Sequence, residues 1–179
     1  MSTEENKAIV RRYVEEVLND EKLGVVDELF ASDCVLQDPN LGEERQGPDV
    51  IAALARLSHV VSLDYNVRVE ETVAEGDRVM ISWTASGKLA PEMGDPGPTG
   101  DEVTVSGISM FRFNDEGRIS YAKQLSRSLD DYPRPVPKDE AARERLASDP
   151  VLGRLGDAAL RPKCWFKPWT CNWSEPYQV

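Results

Sequence analysis

The chain has 179 residues, enough for one domain with a substantial core and an appendage. Its formal net charge of −11 at pH 7 argues against nucleic acid or an anionic membrane surface as a partner, because phosphate binding depends on basic patches. No apolar run approaches the roughly 20 residues of a membrane-spanning helix, and the acidic N-terminal sequence is unlike a signal peptide. We therefore expect a cytoplasmic protein that binds neither nucleic acid nor membranes.

The chain contains three cysteines, which are too few for a disulfide framework, and one histidine. Cys34, in the sequence CVLQD, is predicted to be a small buried hydrophobic residue. Cys164 and Cys171 are close enough in sequence to pair, but a reducing cytosol argues against a standing disulfide. His59 is far from them in sequence, and the chain has no glycine-rich phosphate loop. No metal and no cofactor are therefore expected.

Apolar residues at helical spacing predict three helices in the first third of the chain. Ser2 and Glu5 have the spacing of a capping box at the start of the first helix. A short second helix is predicted at residues 23–30, followed by a brief strand at residues 34–38. Pro48, at a first helical position, opens the third helix.

The apolar period changes to two after the third helix, which is typical of β-strands. Four strands are predicted, at residues 63–74, 78–89, 102–113 and 118–128. Short turns between successive strands indicate an antiparallel meander. Three helices followed by a curled antiparallel sheet predict an α+β fold, in which the helices cover one face and leave room for a cavity.

Four short motifs carry a family resemblance: DELF at 27–30, AEGDRV at 74–79, VSGISMFRF at 105–113 and GRI at 117–119. They resemble the SnoaL-like polyketide cyclases of the nuclear transport factor two-like superfamily, and the likeness covers residues 5–130. The resemblance implies a conical α+β barrel with a pocket inside and a homodimer formed through the sheet. It also implies a small hydrophobic molecule as the ligand if the protein is an enzyme.

The same resemblance implies acid/base side chains, commonly an aspartate, inside the cone. On the last strand, where that aspartate is expected, residues 121–126 read YAKQLS, which argues against an enzyme. Asp38 is the best remaining carboxylate, although a role in the turn before Pro39 is an alternative, and Asp64 is a secondary candidate. The candidate pocket-lining residues are Tyr65, Trp83, Lys123 and Gln124. The sequence does not decide which of the last two points inward.

The last nineteen residues, 161–179, differ from the rest of the chain in composition and charge. Residues 1–160 carry 18 basic and 31 acidic side chains, whereas the tail carries three and one. Four of its five aromatic residues, Trp165, Trp169, Trp173 and Tyr177, recur every four positions, but Pro168 and Pro176 are incompatible with a helix. The tail is dense in side chains that enzymes can modify, namely Cys164, Trp165, Trp169, Thr170, Cys171, Trp173, Ser174 and Tyr177.

Three segments are therefore predicted: a SnoaL-like domain at residues 1–130, a proline-rich linker with a weak helix at 131–160, and an extended C-terminal tail at 161–179. This arrangement resembles the precursor of a ribosomally synthesised, post-translationally modified peptide, whose leader domain binds peptide-modifying enzymes and whose core peptide is cut off by a protease. The sequence favours this hypothesis.

Two alternatives remain open. In the first alternative, the chain is a SnoaL-like small-molecule enzyme of cyclase, isomerase or hydrolase type, or a ligand-binding protein, and the tail acts as a lid or dimer arm. In the second alternative, the tail is a recognition motif for a protein partner. A hollow cone would favour the small-molecule hypothesis, and a cone filled with apolar side chains would remove it.

Overall fold

The computed structural model describes residues 2–39, 44–91, 93, 102–128 and 139–152. Its helices are α1 (Thr3–Arg12), α2 (Val26–Leu29), α3 (Pro48–Val61) and α4 (Glu140–Ser148). Its strands are β1 (Phe30–Gln37), β2 (Arg45–Gln46), β3 (Ser62–Glu75), β4 (Arg78–Leu89), β5 (Glu102–Phe113) and β6 (Ile119–Ser128). The candidate modification sites of the tail, from Cys164 to Tyr177, lie outside the described residues.

The first helix begins with the predicted capping box. The backbone amide of Glu5 donates to the Ser2 hydroxyl at 3.2 Å, and the Ser2 amide donates to the Glu5 carboxylate at 2.7 Å. After α1 the helix widens into a π-helical segment, Tyr13–Asn19, which the sequence did not predict. Each amide in a π-helix bonds five residues back, so that residues five apart share one face. Tyr13 and Leu18 therefore point the same way, toward the sheet.

The predicted α+β fold is confirmed, with the helices packed on one curled, six-stranded sheet. Strands β3 to β6 form the expected antiparallel meander. β1 pairs with β6 in parallel, for example Leu36 with Ala122, which sequence periodicity alone could not indicate. The strand order is β2-β1-β6-β5-β4-β3, so β2 and β3 form the two edges of the curled sheet.

The core lies between the helices and the inner face of the sheet. The predicted alternation on β4 and β5 is confirmed, because Val79, Ile81 and Phe111 are all buried there. Cys34 is also buried, as predicted, and burial raises the pKa of its thiol to about 11. This thiol therefore stays protonated, which leaves it a small hydrophobic core residue at neutral pH.

Residues 139–152 pack onto the domain as a C-terminal strap. Leu146 and Leu152 belong to the hydrophobic core, and Leu152 is fully buried. Asp149 accepts hydrogen bonds from the amides of Val151 and Leu152 at 2.9 and 3.1 Å. Its second carboxylate oxygen accepts from Arg56 Nε on α3 at 3.2 Å. The strap is thus attached to the domain by apolar contacts with the core and by an ion pair with α3.

Removing this strap should destabilise the domain. A chain that ends at residue 138 is expected to lose about 2–3 kcal/mol of unfolding free energy relative to one that ends at residue 152. Each buried leucine contributes roughly 1.5–3 kcal/mol, and ordering the segment offsets part of that. Urea denaturation of the two chains measures the difference. Equal midpoints and slopes would show that the strap adds nothing to the fold.

Candidate functional site

A cavity of about 290 Å³ lies beneath the helices, on the inner face of the sheet. This volume is at the lower end of the roughly 300–1,000 Å³ that is typical of ligand pockets. Most of its lining is apolar, with walls formed by Ile51, Leu54, Leu57 and Val61 of α3 and by Leu36, Val67, Ile81, Trp83, Val103, Val105 and Phe111 of the sheet. The cone is therefore hollow, as the small-molecule hypothesis requires.

Asp38 lies directly after β1 and places a carboxylate at the cavity wall. It is buried, with 7% of its surface exposed. Among the described residues that line the cavity, it is the only one with an acidic or basic side chain. The Gln124 amide on β6 donates to Asp38 Oδ2 at 3.4 Å, because the parallel pairing of β1 and β6 brings these two residues together. A carboxylate in such an apolar enclosure is suited to accept or return a proton.

Two tyrosines add hydroxyl groups to the same cavity. The Tyr13 ring packs edge-on against Phe30 and Phe111, at centroid distances of 5.1 and 5.8 Å. Burial, with a smaller contribution from the negative charge of Asp38, raises the pKa of Tyr13 well above its ordinary value. Burial also raises the pKa of Tyr65. Both hydroxyls therefore stay protonated near neutral pH and remain hydrogen-bond donors.

These raised pKa values predict a loss of stability in alkaline solution. The folded protein holds the protons of Tyr13 and Tyr65 more tightly than the unfolded chain does. The free energy of unfolding should therefore fall as the pH rises above about 10, where tyrosines of the unfolded chain ionise. Urea denaturation across that range should show a shallower decline for the double variant Tyr13→Phe/Tyr65→Phe. Parallel declines would contradict the assignment.

Trp83 and Ser109 form a fixed polar contact within the apolar wall. The indole Nε1–H donates to Ser109 Oγ at 2.9 Å, and both side chains are buried. This bond satisfies the indole donor, which would be costly to leave unpaired in the interior. Trp83 therefore presents a fixed aromatic surface to the cavity.

His59 supports the cavity from behind Tyr65. Its Nε2 lies 2.7 Å from the carbonyl oxygen of Leu18, in the π-helical segment. A carbonyl only accepts, so Nε2 carries the proton in this contact. The imidazole ring meets the Tyr65 ring edge-on at 5.3 Å. The histidine thus joins α3, β3 and the π-helical segment without lining the cavity.

The structure brings four of the six sequence-predicted body residues to the cavity. Asp38, Tyr65, Trp83 and Gln124 all line it. Between the two residues of β6 that the sequence left open, Gln124 faces inward. The other two candidates do not reach the cavity: Lys123 and Asp64.

Lys123 and Asp64 fail to reach the cavity for different reasons. Lys123 alternates with Gln124 along β6 and therefore belongs to the opposite face of the sheet. Asp64 is exposed and has a positive φ of 54°, at an irregularity where β3 shifts register between Leu63 and Asn66. This irregularity interrupts the alternation that would otherwise assign Asp64 to a face.

Sequence reasoning missed Tyr13 and Ser109. Tyr13 belongs to the apolar stripe of the first helix, and this position predicts a core residue rather than a residue of the cavity lining. Ser109 could have been identified from the sequence, because it alternates along β5 in step with Val105 and Phe111 and therefore faces inward with them. A hydroxyl at such a position indicates a polar contact in the interior.

The described residues offer no group of three or more His, Cys, Asp or Glu side chains that could hold a metal ion. None of the helices in the described ranges is both long and apolar enough to cross a membrane.

The solved structures that are similar to this chain include the following three. AclR from Streptomyces galilaeus, a proposed hydroxylase, is 22% identical, with a TM-score of 0.60 over 72% of this chain and 82% of its own. IdmH from Streptomyces antibioticus, a proposed polyketide cyclase, is 22% identical, with a TM-score of 0.59 over 68% of this chain and 91% of its own. An LEH-like epoxide hydrolase from M. tuberculosis is 21% identical, with a TM-score of 0.54 over 70% and 84% of the two chains.

No curated protein sequence matched the chain. The sequence does match the SnoaL-like domain over residues 10–122, which is more than half of the chain. This range runs from α1 into β6 and includes the helices and strands that enclose the cavity. The protein therefore belongs to the family of SnoaL-like domains.

Proposed function

We propose that the domain binds a small, mostly apolar molecule in its cavity and that Asp38 acts there as a general acid/base. The observation that carries this proposal is a hollow, apolar enclosure whose lining contains one carboxylate among the described residues. The named activities of the similar structures, a polyketide cyclase and an epoxide hydrolase, also concern small molecules.

The reaction that suits these groups is proton abstraction from a carbon next to a carbonyl group. Asp38 would take that proton, and its hydrogen bond from Gln124 would orient the carboxylate. The protonated hydroxyl of Tyr13 would donate to the oxygen on which negative charge develops. Asp38 would then return the proton to another carbon of the ligand, which completes an isomerisation. In a ligand with a second carbonyl group, the carbanion would instead form a bond to that carbonyl carbon, and Asp38 would protonate the resulting alkoxide, which completes a ring closure.

A molecule of two fused rings with one polar oxygen matches the cavity in size and chemistry. The apolar walls favour burial of its hydrocarbon rings, at roughly 25 cal/mol per Å² of apolar surface. The carboxylate of Asp38 and the net charge of −11 disfavour an anionic ligand. We therefore expect neutral ligands to bind better than their sulfonated or carboxylated counterparts.

Nuclear magnetic resonance of the imidazole of His59 tests binding, because this is the only histidine of the chain. Its ring packs on Tyr65, which lines the cavity, so a ligand there should shift the imidazole signals. Titration of the full-length protein with 2-naphthol is expected to give a saturable shift, and 2-naphthalenesulfonate a much weaker one. No shift with either compound, together with no binding by calorimetry, would argue against the proposal.

The tail supports a second proposal, that the chain is also the precursor of a modified peptide. Its thiols, indoles and hydroxyls are concentrated within residues 164–177, and its charge is opposite in sign to that of the body. In this proposal, peptide-modifying enzymes act on the tail and a protease releases it. Mass spectrometry of the protein from its native host is expected to find a modified or cleaved tail. An intact, unmodified tail under producing conditions would contradict it.

We further propose that two copies associate through the outer face of the sheet. That face carries exposed apolar side chains on successive strands, namely Met80, Ile108 and Leu125. A patch of this kind on a sheet is typical of a contact surface. Leu125→Glu should shift the protein from dimer to monomer in light scattering, whereas Ala8→Glu, at an exposed position of α1, should not. A monomeric wild-type protein would refute the assignment.

A further inference from the structure

The position of Trp83 is set from two directions by β5. Its indole nitrogen donates to Ser109, as described above, and Gly107 is its direct partner in the pairing of β4 with β5. A β-carbon at position 107 would overlap the indole ring and would lie 2.7 Å from the carbonyl oxygen of Leu125. Only glycine at this position leaves space for the indole to lie against the backbone of β5. We call Trp83, Gly107 and Ser109 the tryptophan seat.

The tryptophan seat also borders a groove on the outer face of the sheet. Trp83 lines the cavity and also borders a shallow groove formed by residues that include Gly107, Ile108 and Leu125. Ile108 and Leu125 are about half exposed, at 48% and 51%, which places the groove at the outer surface. The unbroken pairing of β4 with β5 separates this groove from the cavity, and the indole lies on the inner side of the sheet, where it limits the space that the cavity leaves for a ligand.

We propose that Trp83 is a specificity-determining residue, which sets the depth of the cavity and so limits the ring system that the domain accepts. This inference rests on the proposed function and adds to it the class of ligand: flat molecules of two fused rings, which stack on the indole. A third fused ring would have to occupy the volume of the indole itself. Gly107 and Ser109 act through Trp83, because one provides its space and the other fixes its rotation.

The test compares the affinities of full-length variants for 2-naphthol and for 2-anthrol, which has one more ring. Ligand fluorescence gives both dissociation constants. Trp83→Leu should raise the affinity for 2-anthrol relative to 2-naphthol by about tenfold, because the additional ring gains a buried apolar site. Ser109→Ala removes the bond that fixes the indole, so its ratio should move in the same direction by about threefold.

Gly107→Ala should change the affinity ratio in the opposite direction, although it alters the same tryptophan seat. The added methyl group pushes the indole toward the cavity, so both ligands should bind more weakly, with 2-anthrol affected more. Ile108→Ala is the matched control, because this side chain borders the outer groove and is not part of the cavity lining. Its affinity ratio should equal that of the wild type. Thermal unfolding shows which variants are folded. If Gly107→Ala does not fold, the comparison of Trp83→Leu and Ser109→Ala with the wild type is sufficient for the test.

Two results would overturn the proposal, and they are distinguishable. If the wild type binds 2-naphthol but folded Trp83→Leu and Ser109→Ala keep its affinity ratio, then Trp83 does not limit the ligand and the proposed function still stands. If the wild type binds neither compound, the proposed function fails, and this proposal fails with it. An unchanged ratio in Ile108→Ala with a raised ratio in Trp83→Leu supports it.

Discussion

Replacing Asp38 by asparagine should slow proton exchange from a bound ketone by about 10²–10⁴-fold, the usual contribution of a positioned acid/base group. Asparagine keeps the shape of the side chain and can still accept the hydrogen bond from Gln124, but it cannot take up a proton at neutral pH. The ketone 2-tetralone is a suitable probe, because it has two fused rings and exchangeable hydrogens next to its carbonyl group. Proton spectra in heavy water give the exchange rate directly.

Asp64→Asn is the matched control for this experiment, since it makes the same substitution at an exposed position outside the cavity. Its exchange rate should equal that of the wild type. The affinity of Asp38→Asn for 2-naphthol should stay within about threefold of the wild-type value, which separates a chemical defect from a folding defect. Equal exchange rates for wild type and Asp38→Asn would remove Asp38 from any catalytic role.

The sequence predicted those parts of the fold that depend on local pattern. The strands of the meander follow from alternation and from the short turns between them. The parallel pairing of β1 with β6 could not be predicted, because it joins segments about 85 residues apart and leaves no local signature. The π-helical segment could not be predicted either, because its apolar stripe fits an ordinary α-helix equally well.

The candidate site was predictable where alternation holds. Tyr65, Trp83 and Gln124 reach the cavity as inward-facing strand residues, and Asp38 reaches it because it directly follows a buried strand. Asp64 differs because β3 is irregular at that position, and irregularities of this kind depend on tertiary packing. Tyr13 was missed because one helical stripe serves both the core and the cavity lining.

The tail can be recognised from composition alone, whereas the cavity cannot. A tail dense in tryptophan, cysteine and proline is conspicuous in a sequence, so it favoured the precursor hypothesis. A cavity is the volume that side chains leave unfilled, and no single residue encodes it. The hollow cone with Asp38 at its wall now favours the small-molecule alternative for the domain, while the role of the tail stays a prediction.

Replacing Phe30 by alanine should lower the free energy of unfolding by about 3–5 kcal/mol, the range for deletion of a large buried aromatic side chain. Phe30 begins β1 and is only 1% exposed. Its ring also supports Tyr13, which packs edge-on against it at 5.1 Å. The loss should therefore affect both the core and the site, because Tyr13 gains freedom to move. Urea denaturation and the 2-tetralone exchange rate measure the two effects.

Two comparison variants separate these effects. Phe30→Leu keeps most of the buried volume but no ring, so it should cost clearly less stability than Phe30→Ala while still slowing exchange through Tyr13. Val73→Ala, at a position that is 67% exposed, should change the unfolding free energy by no more than about 0.5 kcal/mol. If Phe30→Ala costs less than about 1.5 kcal/mol, the ring is not part of a tightly packed core. If Phe30→Leu exchanges protons at the wild-type rate, its contact with Tyr13 does not position the hydroxyl for the reaction.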